Sequence, residues 1–313
     1  SGDPNAVNVL MVNNPQMMDL QQLTAENFTA KTGIKVNFTA LPENDVRDKI
    51  SQEFSSQAGQ YDVASLSNFE IPIYAKAKWV APLSDYIAAD PAFAQDDILA
   101  PMTTSLSVDG TVYGEPFYGE SSFLMYRKDV MDAKGITVPA TYEELLAAGP
   151  QLTFKGDDGQ QTYGVITRFD KYWDLPFLTF GTMLQSYGVQ MLDADGKLQI
   201  CSPESIKATE DFIKLIKSSS PEGAGAFTWY DALQGFSSGQ YAMAVDEADL
   251  FAPTYEAPKQ SKVSDDVGYA LAPLGPTGER KAGAWIWSMS INSASKNKDA
   301  SWLFLQWLTS KET

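Results

Sequence analysis

The sequence predicts an α/β protein built from two lobes, each around a doubly wound sheet or a related layered core. Three observations support this. The first seventy residues alternate strand, helix, strand, helix, strand, which implies parallel pairing with right-handed crossovers. A chain of 313 residues is long enough for two domains with separate cores. Two apolar strands, 112–126 and 284–291, are placed to carry the chain from one lobe to the other and back.

The elements follow in order. "AVNVLMV" (6–12) reads as a buried strand. "DLQQLTAENFTAKTG" (19–33) reads as a helix with Leu20, Leu23 and Phe28 on one face and Gly33 as its stop. "IKVNFT" (34–39) alternates Ile34, Val36 and Phe38 with polar residues, as a strand does. "VRDKISQEFSSQAG" (46–59) is a helix ending at Gly59, and "YDVASLS" (61–67) a third strand. Ligands collect at the carboxyl ends of strands in such sheets, which here are the loops "NNPQMM" (13–18) and "NFE" (68–70).

Beyond residue 130, "TYEELLAA" opens with a capping box from Thr141 to Glu144. "LPFLTFGTMLQSYG" is helical. "SPESIKATEDFIKLIKSSS" has Ser202 as N-cap, Pro203 at the first helical position, and Ile206, Ile213 and Ile216 spaced as one apolar face. "YAMAV" is a short strand before an acidic turn, and "KNKDASWLFLQWLTSKE" (296–312) an amphipathic helix.

Composition excludes several functions. Lys and Arg number 23 against 40 Asp and Glu, a formal charge of −17. Phosphate contacts need cations, so nucleic acid is not the partner. There is no histidine, which removes the Ser-His-Asp triad and His-rich zinc sites. The single cysteine, Cys201, reads as buried or inert. "DADGK" (193–197) starts like a calcium loop but lacks the later bidentate Glu, so it reads as a turn. No metal or cofactor motif is present. No run of about 18 apolar residues could span a bilayer, and "SGDPNAVNVL" reads as the start of a mature chain with its signal segment removed.

Glu120 lies in the apolar run "VYGEPFYGESSFLMYRKDV" (112–130). A carboxylate there is costly unless paired, and an ionised one only accepts hydrogen bonds, which suits ligand hydroxyls or an arginine. Aromatic residues recur in "RFDKYWDLPF", "FTWYDA" and "AWIW"; broad apolar faces ringed by polar groups suit a polyhydroxylated ligand or, equally, a packed core. Glu120, Asp170, Asp174, Asp246, Glu247 and Asp249 would also supply the paired carboxylates of a glycoside hydrolase or lyase. Arg168 with Asp170 or Asp246 would suit an amino acid, and an oligosaccharide or a purely structural role are further readings.

Four stretches in sequence order resemble the extracellular solute-binding proteins of ABC importers, the family-1 group that captures sugars and polyols. They are "YDVASLSNFEIPIYAKAKWVAPLSDYI", "DGTVYGEPFYGESSFLMYRKDVMDAKGI", "FSSGQYAMAVDEADL" and "WIWSMSINSASKNKDASWLFLQWLTSKE". Sorbitol and mannitol binders are the nearest subgroup. The resemblance implies a periplasmic-binding-protein type II-like fold, with residues 1–117 and 288–313 in one lobe and 118–287 in the other. It implies a monomeric, non-enzymatic protein outside the cytoplasm that closes on a sugar or polyol in the cleft between lobes and presents it to a membrane permease. The carried-over ligand contacts are Glu120, then Asp246 and Trp285, then Arg168 and Glu70, with Asn68, Phe69, Asp170, Trp173, Asp249 and Trp287. Asn14 and Gln16 are added from loop position alone. Members of the group continue for several helices past the point where this chain stops, at Thr313. Either the polypeptide is a fragment or it lacks that tail, which would leave the second lobe incomplete.

Overall fold

A computed structural model describes residues 3, 5–171 and 173–313, apart from the side chains of Asp174 and Glu247. The principal elements in chain order are β1 (Ala6–Val12), α1 (Pro15–Leu23), β2 (Lys35–Leu41), α2 (Glu43–Ser56), β3 (Val63–Ser67), β4 (Glu115–Arg127), α3 (Tyr142–Gln151), β5 (Gln161–Ile166), α4 (Phe180–Ser186), α5 (Pro203–Ser219), α6 (Trp229–Ser237), β6 (Tyr241–Ala248), β7 (Val267–Leu271), β8 (Ala284–Ile291) and α7 (Lys298–Leu308). The chain divides into one unit of residues 1–119 with 285–313 and another of 120–284. Tyr118, Gly119, Trp285, Ile286 and Trp287 therefore fall in the first unit, where the sequence reading had put them in the second. The reason is pairing: β8 runs antiparallel to β3 and brings Trp287 opposite Ser67.

In the first unit, β1 lies between β2 and β3 and is parallel to both. Its near-continuous burial is that of a strand covered on both faces. Val7, Val9, Leu10 and Met11 meet Val46, Ile50 and Phe54 of α2 and Phe304 and Leu305 of α7 in the buried set that forms this core. The first helix begins at Pro15 rather than Asp19, because Asn14 Oδ1 accepts the Met17 N–H at 2.9 Å and Pro15 occupies the first turn. It continues through a π-helical segment, Thr24–Thr29, to Thr32. The buried face is Met17, Leu20, Thr24 and Phe28, and Leu23 is 46% exposed. The helix α2 starts at Glu43 and stops at Gln57, which turns left-handed (φ 53°) two residues before Gly59.

In the second unit, β4 pairs antiparallel with β7 on one side and β6 on the other, and β6 pairs parallel with β5. Successive residues point to opposite faces, so Leu124, Val165 and Met243 join one core with Tyr142, Leu145 and Leu215. Met125, Ile166 and Ala244 join another with Trp229, Phe236, Phe251 and Tyr255. The capping box forms as read: Thr141 Oγ1 accepts the Glu144 N–H at 3.1 Å, and Glu144 Oε2 accepts the Thr141 N–H at 3.2 Å. Ser202 likewise caps α5. The buried face of α5 differs from the expectation. Ser205, Ala208, Asp211, Leu215 and Ser219 face inward, while Ile206 and Ile213 are 52% and 47% exposed. Where α5 meets Gly149 of α3 the approach is close: a Cβ on that glycine would lie 2.3 Å from Ser219 Oγ and 3.3 Å from Leu215 Cδ1.

Candidate functional site

In the first unit, several of the expected site residues gather at the carboxyl ends of its parallel strands. The end of β2 leads directly into α2, whose first turns carry Glu43 and Arg47. The end of β3 leads into Asn68, Phe69 and Glu70. Glu70 is buried; its Oε2 accepts from the Ser67 N–H at 2.9 Å and the Ser67 hydroxyl at 3.0 Å, and lies 2.5 Å from Arg47 Nη1. Arg47 also pairs with Glu43 at 2.7 Å. Burial alone would lower the guanidinium pKa, but the two carboxylates outweigh it and hold the value above the ordinary one. The guanidinium lies over the rings of Trp287 and Trp285, 4.7 and 5.2 Å from their centroids. The two indoles, two residues apart on β8 and so on one face, are 6.0 Å apart, and Phe69 packs on Trp285 at 4.9 Å.

Other expected residues of this unit serve the framework. Asn68 Oδ1 accepts the Ile286 N–H, and its own N–H donates to Ile286 O, both at 3.0 Å, which ties β3 to β8. Asn14 caps α1 and donates from Nδ2 to the Tyr118 hydroxyl. Arg47, Glu43 and Tyr118 were missed by sequence reasoning. A usable signal existed for two of them: Glu43 and Arg47 stand four apart at the start of a helix that leaves a strand end.

In the second unit, the expected residues Arg168 and Asp246 lie near the ends of β5 and β6. Thr167 Oγ1 donates to Val245 O at 2.9 Å, and Arg168 Nη2 reaches Asp246 O at 3.5 Å. Arg168 and Asp246 are each 3% exposed. Asp246 has φ 55°. It is the extra residue of a β-bulge, because Leu124 pairs with Val245 while Phe123 pairs with Glu247. A non-glycine residue held left-handed at a bulge re-aims its side chain, and such strain gathers at functional positions. Arg168 lies 5.8 Å from the ring centroid of Phe251, which stacks on Trp229. Glu120 is half-buried at the start of this unit's portion of β4; beside it, the Ser121 N–H donates to Asp249 Oδ1 at 3.3 Å. Asp170 and Trp173 follow Arg168 and are half-buried, Trp173 stacking on Phe177 at 6.2 Å. Tyr172 and the side chains of Asp174 and Glu247 lie outside the described residues.

The arrangement offers aromatic faces, guanidinium donors and carboxylate acceptors. Burial pushes the Glu115 carboxyl, 0% exposed inside the first unit, up to about 8. Among the described residues, no group of three or more His, Cys, Asp or Glu side chains could hold a metal ion. No helix among them is long and apolar enough to cross a membrane.

Comparison with known proteins places these features in a family. The family model of the bacterial extracellular solute-binding proteins matches residues 14–313. A mannitol-binding protein of Pseudomonas aeruginosa is 30% identical over 305 residues, which is 97% of this chain and 68% of the relative. An ABC transporter solute-binding protein of Agrobacterium vitis S4, solved with bound D-mannitol, superposes with a TM-score of 0.86 at 34% identity, over 98% of this chain and 73% of that one. Another, from Agrobacterium radiobacter K84 in complex with ribitol, gives 0.88 at 28% identity, over 98% and 76%. The fold is the mixed α/β, type II fold of periplasmic binding proteins, and the chain belongs to the bacterial extracellular solute-binding proteins.

Proposed function

We propose that this protein captures a sugar alcohol outside the cytoplasm and hands it to the membrane permease of an ABC importer, without catalysis. The observation that carries the reading is the 34%-identical structure holding D-mannitol, which matches 98% of this chain. The residue types support it chemically. Phe69 in one unit and Trp173 in the other are half-buried and offer faces for the C–H groups of a polyol, with buried Trp285 packed on Phe69 and Trp287 on Trp285. Glu120, Asp246 and Glu70 accept from hydroxyls, and Arg168 donates to them. Asp170 and Asn68 complete the proposed set, and Asn14 shapes the first loop.

The test is thermal unfolding with a panel of alditols, aldoses, oligosaccharides and amino acids. A ligand that binds only the folded chain adds about 2.7 kcal/mol at 100 times its Kd. A selective rise with mannitol, sorbitol or ribitol, lost in Glu120→Ala, is the expected result. A folded chain that responds to none of these alditols would overturn the assignment, and turnover of a glycoside would replace it with the hydrolase reading.

A further inference from the structure

Residues 91–106 lie against the start of β4 as short 3-10 turns and one short helix, Ala100–Ser105. Apolar burial fixes the two ends of this strap. Phe93 is buried and packs edge-on against Trp302 at 5.3 Å, and Leu106 is fully buried. No residue between them is buried, and Ala94 turns left-handed there (φ 55°), a costly conformation for a residue with a side chain. A segment with so few buried contacts is the kind that opens locally. Two points hold its middle. Gln95 Nε2 donates to Glu115 Oε2 at 3.3 Å and to Thr103 Oγ1 at 3.4 Å, both long for hydrogen bonds. Met102 fills the space beside Gly119, where a Cβ would lie 3.0 Å from Met102 Cε. Gly119 is the last residue of the first unit before β4 enters the second.

The polar point depends on a proton. Glu115 is 0% exposed, and its Oε1 and the Oε1 of Gln95 are buried without a hydrogen-bond partner. Only a protonated carboxyl can donate to that amide oxygen. Ionised, Glu115 would hold a buried charge against one long bond from a neutral donor, and the remedy is water. The elements beside it bring no cation. Neither β8 nor the helix Ala100–Ser105 has a titratable residue. Asp96 and Asp97 of the adjoining turn and Asp109 of the preceding one are exposed, Tyr113 is half-buried, and Lys311, paired with Asp97 at 3.0 Å, is 79% exposed. We propose that residues 94–105 form a proton-operated strap: protonated Glu115 keeps Gln95 and Thr103 seated on β4, and loss of the proton lifts the strap so that water reaches the carboxylate. The closed strap binds the proton more tightly, because burial pushes the carboxyl from 4.5 up to about 8, with the Gln95 hydrogen bond working against the shift. Opening is therefore rarest at low pH. It becomes up to about tenfold more frequent per pH unit between those two values, and levels off above the higher one.

The experiment is amide hydrogen exchange of the full chain from pH 5.5 to 9, resolved by residue and corrected for the intrinsic pH dependence of exchange. The reporters are the amides of Asp97, Ile98, Met102 and Thr103, whose hydrogen bonds all close within the strap. A helix of six residues does not persist once lifted, so these amides exchange on opening. The amides of β1, in the core of the same unit, are the reference. The reporters should be less protected than β1 and should lose protection by up to about a hundredfold between pH 5.5 and 7.5, with no further loss above pH 8.5. In Glu115→Gln, neutral at every pH, their protection should not vary. Reporter protection that is independent of pH in the unaltered chain overturns the proposal, whether or not the variant folds. Protection equal to that of β1 also overturns it, because the strap would then open only with the whole unit. A pH dependence that survives in Glu115→Gln assigns the titration to another group and overturns it as well.

Discussion

Two carboxylates in one apolar run have different fates. Glu120, the residue that attracts attention in the sequence, is only half-buried. Glu115, five positions earlier, is fully buried, with Gln95 Nε2 donating to its Oε2 at 3.3 Å. Glu115 Oε1 and Gln95 Oε1 are both buried without a hydrogen-bond partner among the described residues. A proton on the carboxyl supplies a donor that two such acceptors lack. Burial raises its pKa from 4.5 to about 8, so between those values the folded chain keeps a proton that the unfolded chain has released. Stability should therefore fall as pH rises through that window, by up to about 1.4 kcal/mol per unit, and level off above it. Urea unfolding at intervals from pH 5 to 9 would show the slope, and Glu115→Gln should flatten it. An unchanged slope in the variant would assign the effect elsewhere. Neither the burial of Glu115 nor the left-handed backbone of Asp246 is legible in sequence, since each depends on what a distant segment packs against it.

At the scale of elements, local chemistry proved readable where it is self-contained. The capping box at Thr141 and the Ser202–Pro203 helix start use partners within a few residues, and both are formed. Periodicity misled where helices touch. In α5 the isoleucines suggested the inner face, but Ala208, Leu215 and Ser219 are buried instead, and at Ser219 α3 approaches closely through Gly149. Gly149→Ala tests this. Helix propensity favours Ala by about 1 kcal/mol, whereas a Cβ 2.3 Å from Ser219 Oγ forces repacking. Overpacking of this kind costs about 1–3 kcal/mol, so the variant should be net destabilised in urea melts. Ser219→Gly in the same background should recover part of the loss. A neutral or stabilised Gly149→Ala would show that the helices have room to move apart.

For the whole molecule, the formal charge of −17 means that the folded chain works against its own repulsion. Adding sodium chloride from about 20 to 200 mM should raise the unfolding midpoint by a few degrees, as the Debye length shortens below about 10 Å. A midpoint that falls or stays constant would mean that ion pairs such as Arg47 with Glu70 outweigh the repulsion. The same acidity argues against nucleic acid as a partner, and the absence of histidine removes the commonest catalytic chemistries. The strand and helix order of the first seventy residues, the caps at Thr141 and Ser202 and the family were likewise determined by the sequence, because they depend on local spacing and on motifs in fixed order. Among the residues proposed to touch ligand, Glu70, Trp285 and Trp287 were named from sequence as separate contacts. Only the tertiary structure joined them through Arg47, and only strand pairing decided that both tryptophans belong with the first unit. A buried ion pair stacked on two indoles from a strand more than two hundred residues away is a property of packing, and no local pattern encodes it.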